Sequence, residues 1–116
     1  MGNFILTLLH AATNGHILHL QSKSLSVHLA LKDYYEGLPD LVDTLAEQTQ
    51  GLEQQIIEYD YDYYRPASTA LEEVQSVYDF VVSNRQSMPD NTSVQNTIDE
   101  IEQLIDSTLY KLRFLK

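Results

Sequence analysis

The chain has 116 residues, one domain's worth, and a formal charge of −10 from 17 acidic against 7 basic side chains. It has no cysteine, which excludes disulfides, thiolate zinc sites, iron–sulfur clusters and thiol catalysis, and fits a cytoplasmic protein. All the acids fall between Asp33 and Asp106, where Arg65 and Arg85 are the only cations, and the one basic cluster is Lys111, Arg113 and Lys116. Without a basic face or tail to neutralise phosphates, the composition argues against DNA as a partner.

The first predicted element is an amphipathic helix from about Asn3 to Leu20, carried by Phe4, Ile5, Leu8, Leu9, Ala12, Leu18 and Leu20. It lacks the basic start of a signal peptide, is too short to span a bilayer, and has Leu6 where a myristoylation signal needs Ser or Thr, so no membrane partner is expected. Gly15 weakens the helix. Gln21 to Ser24 reads as a connection, with Ser24 or Ser26 as the next N-cap.

The second helix is expected from about Ser26 to Gln50, with Gly51 as its C-cap. Val27, Leu31, Tyr34, Leu38, Leu41, Val42 and Leu45 line one side. Pro39 works against it at a cost of about 3 kcal/mol. Because the apolar period resumes in register, the expectation is a kink, with two shorter helices as the other reading.

From Leu52 to Ser68 no period survives, and the acidic, tyrosine-rich run Glu58 to Pro66 reads as a connector. Extended, it can reach about 50 Å, whereas a 25-residue helix is about 37 Å long. It can therefore run the length of a bundle. Tyr59, Tyr61, Tyr63 and Tyr64 read as aromatic pins for this connector. The alternative is a stacking platform for a nucleotide, with Arg65 on phosphate.

The third helix is expected over Ala70 to Asn84, opened by a capping box of Thr69 and Glu72. Ser87 to Asn91 reads as a turn. Thr92 with Gln95 then opens a fourth helix that runs to about Leu115 on Val94, Ile98, Ile101, Ile105, Leu109, Leu112 and Leu115. The sum is a single all-α domain, residues 1–116: a four-helix bundle with one long connector between helices 2 and 3, the connectivity of the ferritin-like class.

Candidate chemistry concentrates in four histidines and a run of carboxylates. Asp43 and Glu47 lie one helical turn apart on one face. Two His with two carboxylates on helices is a ligand set from which bundles build metal sites. His16, three residues before His19, reads as a ligand, a supporting group or plain surface; His10 reads as ordinary.

The segments His19-Leu-Gln, His28-Leu-Ala-Leu, Tyr34-Tyr-Glu-Gly, Asp40-Leu-Val-Asp43 and Glu47 resemble the ferritin-like Dps proteins, the DNA-protecting iron-storage proteins of starved bacteria. With Ser107-Thr-Leu-Tyr-Lys-Leu112, they are closer still to small Dps-like proteins encoded by tailed phages. The resemblance implies a cytoplasmic homo-oligomer, a two-fold dimer or larger, with an iron or other divalent metal site shared between subunits. His19 and His28 would come from one chain, Asp43 and Glu47 from its mate. Lys32 stands where the resemblance expects an Asp ligand, and an ammonium repels a cation. Glu36, one turn beyond, is the substitute ligand. Ferroxidase turnover is thereby expected to be weakened or lost. The alternative is a non-enzymatic protein without metal that sequesters a small nucleotide signal or blocks a host protein. In that case Lys32, Tyr61, Tyr63, Tyr64, Arg65 and Arg85 would line anion pockets.

Overall fold

Apolar side chains recurring every three to four residues produce four α-helices: α1 (Gly2–Gln21), α2 (Leu25–Glu53), α3 (Ala70–Asn84) and α4 (Thr92–Phe114). A 3₁₀ turn, Arg85–Ser87, follows α3. This is the architecture of a computed structural model that describes residues 1–116. No helix is long and apolar enough to cross a membrane.

The helices start where side chains supply the missing acceptors. Ser24 Oγ accepts from Val27 N, Thr69 Oγ1 from Glu72 N, and Asn91 Oδ1 from Val94 N. Each such cap is worth about 1 kcal/mol. The cap of α4 is therefore Asn91, one residue before the expected Thr92. Gln95 does not reach back to complete a box; its amide donates to the carbonyls of Arg85 and Pro89.

The end of α2 also differs from expectation. The helix runs straight through Gly51 and stops at Gln54, which takes the left-handed conformation (φ 56°, ψ 38°). Gln50 decides this: its Oε1 accepts from Ile57 N and ties the departing chain back to the last turn. Pro39 does not break α2 into two. Its ring is exposed, and the flanking inner-face residues Tyr34, Leu38 and Val42 are buried on either side of it. That burial, at about 1.5–3 kcal/mol per large apolar side chain, outweighs one lost backbone bond.

The packing order around the bundle is α1–α2–α4–α3 and back to α1. Lys111 meets Asp33 and Thr97 meets Gln48, so α4 runs antiparallel to α2. Phe4 stacks on Phe80 at 5.6 Å, near the start of α1 and the end of α3, so these two are antiparallel as well. Residues 54–69, without helix, climb the side of α1. Ile57 and Glu58 lie at Gly2, Tyr63 and Tyr64 at Asn14, and Ser68 shares a cleft with Leu18 and Gln21. The chain thus leaves α2 at one end and enters α3 at the other, which makes α2 and α3 parallel.

One apolar core of Phe4, Ile5, Leu8, Leu31, Leu38, Leu45, Val74, Val81, Ile98 and Ile101 fills the space between the helices. A polar knot interrupts it. Asn14 and Glu73 are fully buried; Asn14 donates to the carbonyl of Tyr64 and accepts from the Tyr63 hydroxyl. Glu73 accepts from the Tyr64 hydroxyl at 2.9 Å and from Ala67 N at 3.0 Å. These bonds fasten the connector to α1 and α3.

Candidate functional site

The hairpin between α1 and α2 is short because Ser22 and Ser24 bond to each other through side chain and backbone. Close approach of the two helices depends on Gly15, where an added Cβ would lie 2.8 Å from the Tyr34 ring. That approach brings four rings together. His19 and His28 stack at 3.6 Å between centroids and 21° between planes, and His16 lies flat on Tyr35 at 4.0 Å and 4°.

The two stacked imidazoles bond reciprocally to the backbone. Nδ1 of His19 lies 2.7 Å from the carbonyl oxygen of His28, and Nδ1 of His28 lies 3.0 Å from that of His19. A carbonyl oxygen only accepts, so each Nδ1 carries the proton. This leaves Nε2, the other ring nitrogen, as the atom that each histidine can offer to a metal. His19 is buried and His28 half-buried, so the pair is held rigidly between the helices.

The carboxylates lie elsewhere on the same protomer. Glu36, Asp43 and Glu47 are exposed on the outer face of α2, as is Lys32, and none forms an ion pair within the chain. At 1.5 Å per residue, Asp43 stands about 22 Å from His28 along the helix. Accordingly no three His, Asp or Glu side chains of one chain converge on a common ion.

The other candidate ligand residues are dispersed. Tyr64 is engaged with Glu73, and Tyr63 with Asn14 and the edge of His10. Tyr61 and Arg65 are exposed on the connector. Arg85 is committed to α4, where it bonds Asp99, Glu102 and Gln95 at 2.8–3.1 Å. Burial alone would disfavour its charge, but bonds to and attraction by Asp99 and Glu102 more than offset this and hold its pKa above the usual value. Burial, then the negative charge of Glu73, raise the Tyr64 phenol well above its ordinary pKa. Burial, reinforced by Tyr64 and Glu73, does the same for Tyr34.

Asn14 and Glu73 are the residues that sequence reasoning did not single out, and Tyr34 was read only as part of the inner side of the second helix. A signal existed for Glu73: it lies four residues before Val77 and eight before Val81, on the inward stripe of α3.

No curated protein and no solved structure matches the chain. A family profile described as a family of unknown function, DUF5856, matches residues 19–112. That stretch begins at His19 and takes in His28, the whole of α2 and the connector through to Leu112 of α4. By this match over most of its length, the chain belongs to the DUF5856 family.

Proposed function

We propose that this protein is a ferritin-like bundle of the Dps type that pairs through α1 and α2 and holds a divalent metal, iron or a similar ion, between subunits. His19 and His28 supply nitrogen from one protomer. Asp43 and Glu47 of the partner subunit supply oxygen, with Glu36 as the substitute for the missing ligand. The observation that carries this reading is the reciprocal bonding of the two imidazoles, which commits both Nδ1 atoms to backbone carbonyls and leaves Nε2 of each ring as the nitrogen free for a ligand.

Three further features support it. A connector along α1 with parallel α2 and α3 is the connectivity that a ferritin-like bundle requires, and so supports this reading. The 20 residues of α1 contain no Asp, Glu, Lys or Arg, and Leu9, Thr13, His16 and Leu20 form an exposed stripe along it. A chain of charge −10 approaches its own copy most readily across such a face. Finally, His28, Lys32, Glu36, Asp43 and Glu47 follow one another at helical spacing on one side of α2. An antiparallel crossing of two α2 helices centred near Glu36 would set His28 opposite Asp43 and Glu47 of the partner subunit. The same crossing sets Lys32 against that acidic segment, where its charge weakens metal affinity and suppresses redox turnover.

Zinc, which is redox-inert, is the binding probe, with iron(II) as the second. His28→Ala and Asp43→Asn are each expected to abolish high-affinity zinc binding. Mixing the two variants is expected to restore it in part, because a mixed pair keeps one intact site of two. Failure of the mixture to bind, or wild-type binding by both variants, contradicts the reading.

The exposed, unpaired Lys32 favours one second reading, a metal-free protein that binds a small anion such as a nucleotide, or a host protein. Lys32→Asp separates the two. The metal reading expects tighter zinc binding in this variant; the anion reading expects loss of nucleotide binding.

A further inference from the structure

The molecule is a rod 45 Å long whose two ends differ in charge and share an apolar character. At one end α1 finishes, α2 begins and α4 finishes, an arrangement fixed by the Lys111–Asp33 ion pair at 3.1 Å. Residues 17–32 and 107–116 meet there. They hold five of the seven cations of the chain; the acids beside them are Asp33, paired to Lys111, and Glu72 and the buried Glu73 in the first turn of α3, which begins at this end. Large apolar side chains stand out among these cations: Leu20, Leu25 and Leu29 on one side, Phe114 (71% exposed) and Leu115 on the other.

The opposite end is made by the start of α1, the end of α2 and the first residues of the connector. Residues 43–62 hold six acids and no cation. Here too large apolar groups are exposed, Leu52 and Ile56 (77%). The left-handed turn at Gln54 folds the chain back so that Met1, Ile56, Ile57 and Glu58 line a cavity of about 360 Å³. A cavity of this size takes a small ligand or a protruding side chain.

We propose that these two ends are complementary surfaces for one another in successive copies of the chain, a head-to-tail contact. Phe114 and Leu115 of one copy enter the Ile56–Ile57 cavity of the next. Arg113 and Lys116 then lie against Glu53 and Glu58. The charges select this pairing, because two basic ends or two acidic ends brought together repel, whereas unlike ends attract. Seating Phe114 and Leu115 against Ile56 in one contact removes exposed apolar side chains of both ends from water. The contact is heterologous, so it can propagate or close a ring. It needs neither a metal nor the α1 face.

The absence of native cysteine makes the test clean. Lys116→Cys and Gln55→Cys variants, which keep Phe114, Leu115 and Ile56, are prepared separately, then mixed in chelator and treated with a short bis-maleimide. The expected product is a cross-linked heterodimer in the mixture, with neither variant linking to itself. Adding Phe114→Glu to the Lys116→Cys variant is expected to abolish the product while circular dichroism stays helical. Self-linking of Lys116→Cys, or no heterodimer in the mixture, overturns the proposal. Because chelator is present throughout, failure here leaves the metal reading untouched, and failure of zinc binding leaves this contact untouched.

Discussion

Two glycines on the same bundle illustrate how context sets the sign of a substitution. At Gly15 a Cβ would collide with the Tyr34 ring, whereas at Gly51 it would meet nothing within 4 Å. Gly15→Ala is therefore expected to destabilise by about 1–3 kcal/mol through overpacking, and to loosen the His19–His28 stack. Gly51→Ala is expected to stabilise by about 0.5–1 kcal/mol, since the helix passes through it. Urea denaturation of both variants checks the two signs together. The buried phenols give a pH prediction. Tyr34 and Tyr64 have folded pKa values raised by burial and Glu73, so their contribution to stability is complete below the unfolded value near 10. Above it the unfolded chain loses protons that the folded chain keeps. Stability then falls by up to about 1.4 kcal/mol per pH unit for each phenol. Tyrosinate absorbance should show two of the eight tyrosines ionising only with unfolding, and one in Tyr64→Phe.

The apolar period made α3 readable to the residue, Ala70 to Asn84, and α1 and α4 to within a residue or two at their ends. The end of α2 was misread at Gly51, because a side-chain bond from Gln50 carries the turn and leaves glycine's freedom unused. The interrupting Pro39 leaves the Tyr35 carbonyl without its helical donor. Pro39→Ala is expected to raise stability by about 1–3 kcal/mol in thermal or urea unfolding, unless the proline geometry is required for pairing of α2, which an unchanged solution mass would exclude. Arg85 joins the end of α3 to α4 through Asp99 and Glu102. Its side chain is partly exposed, so Arg85→Met is expected to cost only about 1–2 kcal/mol in the same assay. Of the site, the separation of His19 and His28 by a tight turn was legible in the sequence. Their mutual backbone bonds were not, because they depend on how deeply Gly15 lets the two helices approach.

On the scale of the molecule, charge organises the surface. The uncharged α1, the acidic outer face of α2 and the basic end near Arg113 are separate territories on one rod. Pairing across α1 and α2 would bring histidines and carboxylates that stand about 22 Å apart in one chain into a shared site. Native mass spectrometry of the purified chain, titrated with zinc in volatile buffer, measures assembly and metal in the same spectrum. The account predicts even-numbered assemblies carrying up to one ion per chain, with the ions lost in His28→Ala. A chain that stays monomeric at every concentration, or an assembly that takes up no more zinc than His28→Ala does, would contradict it.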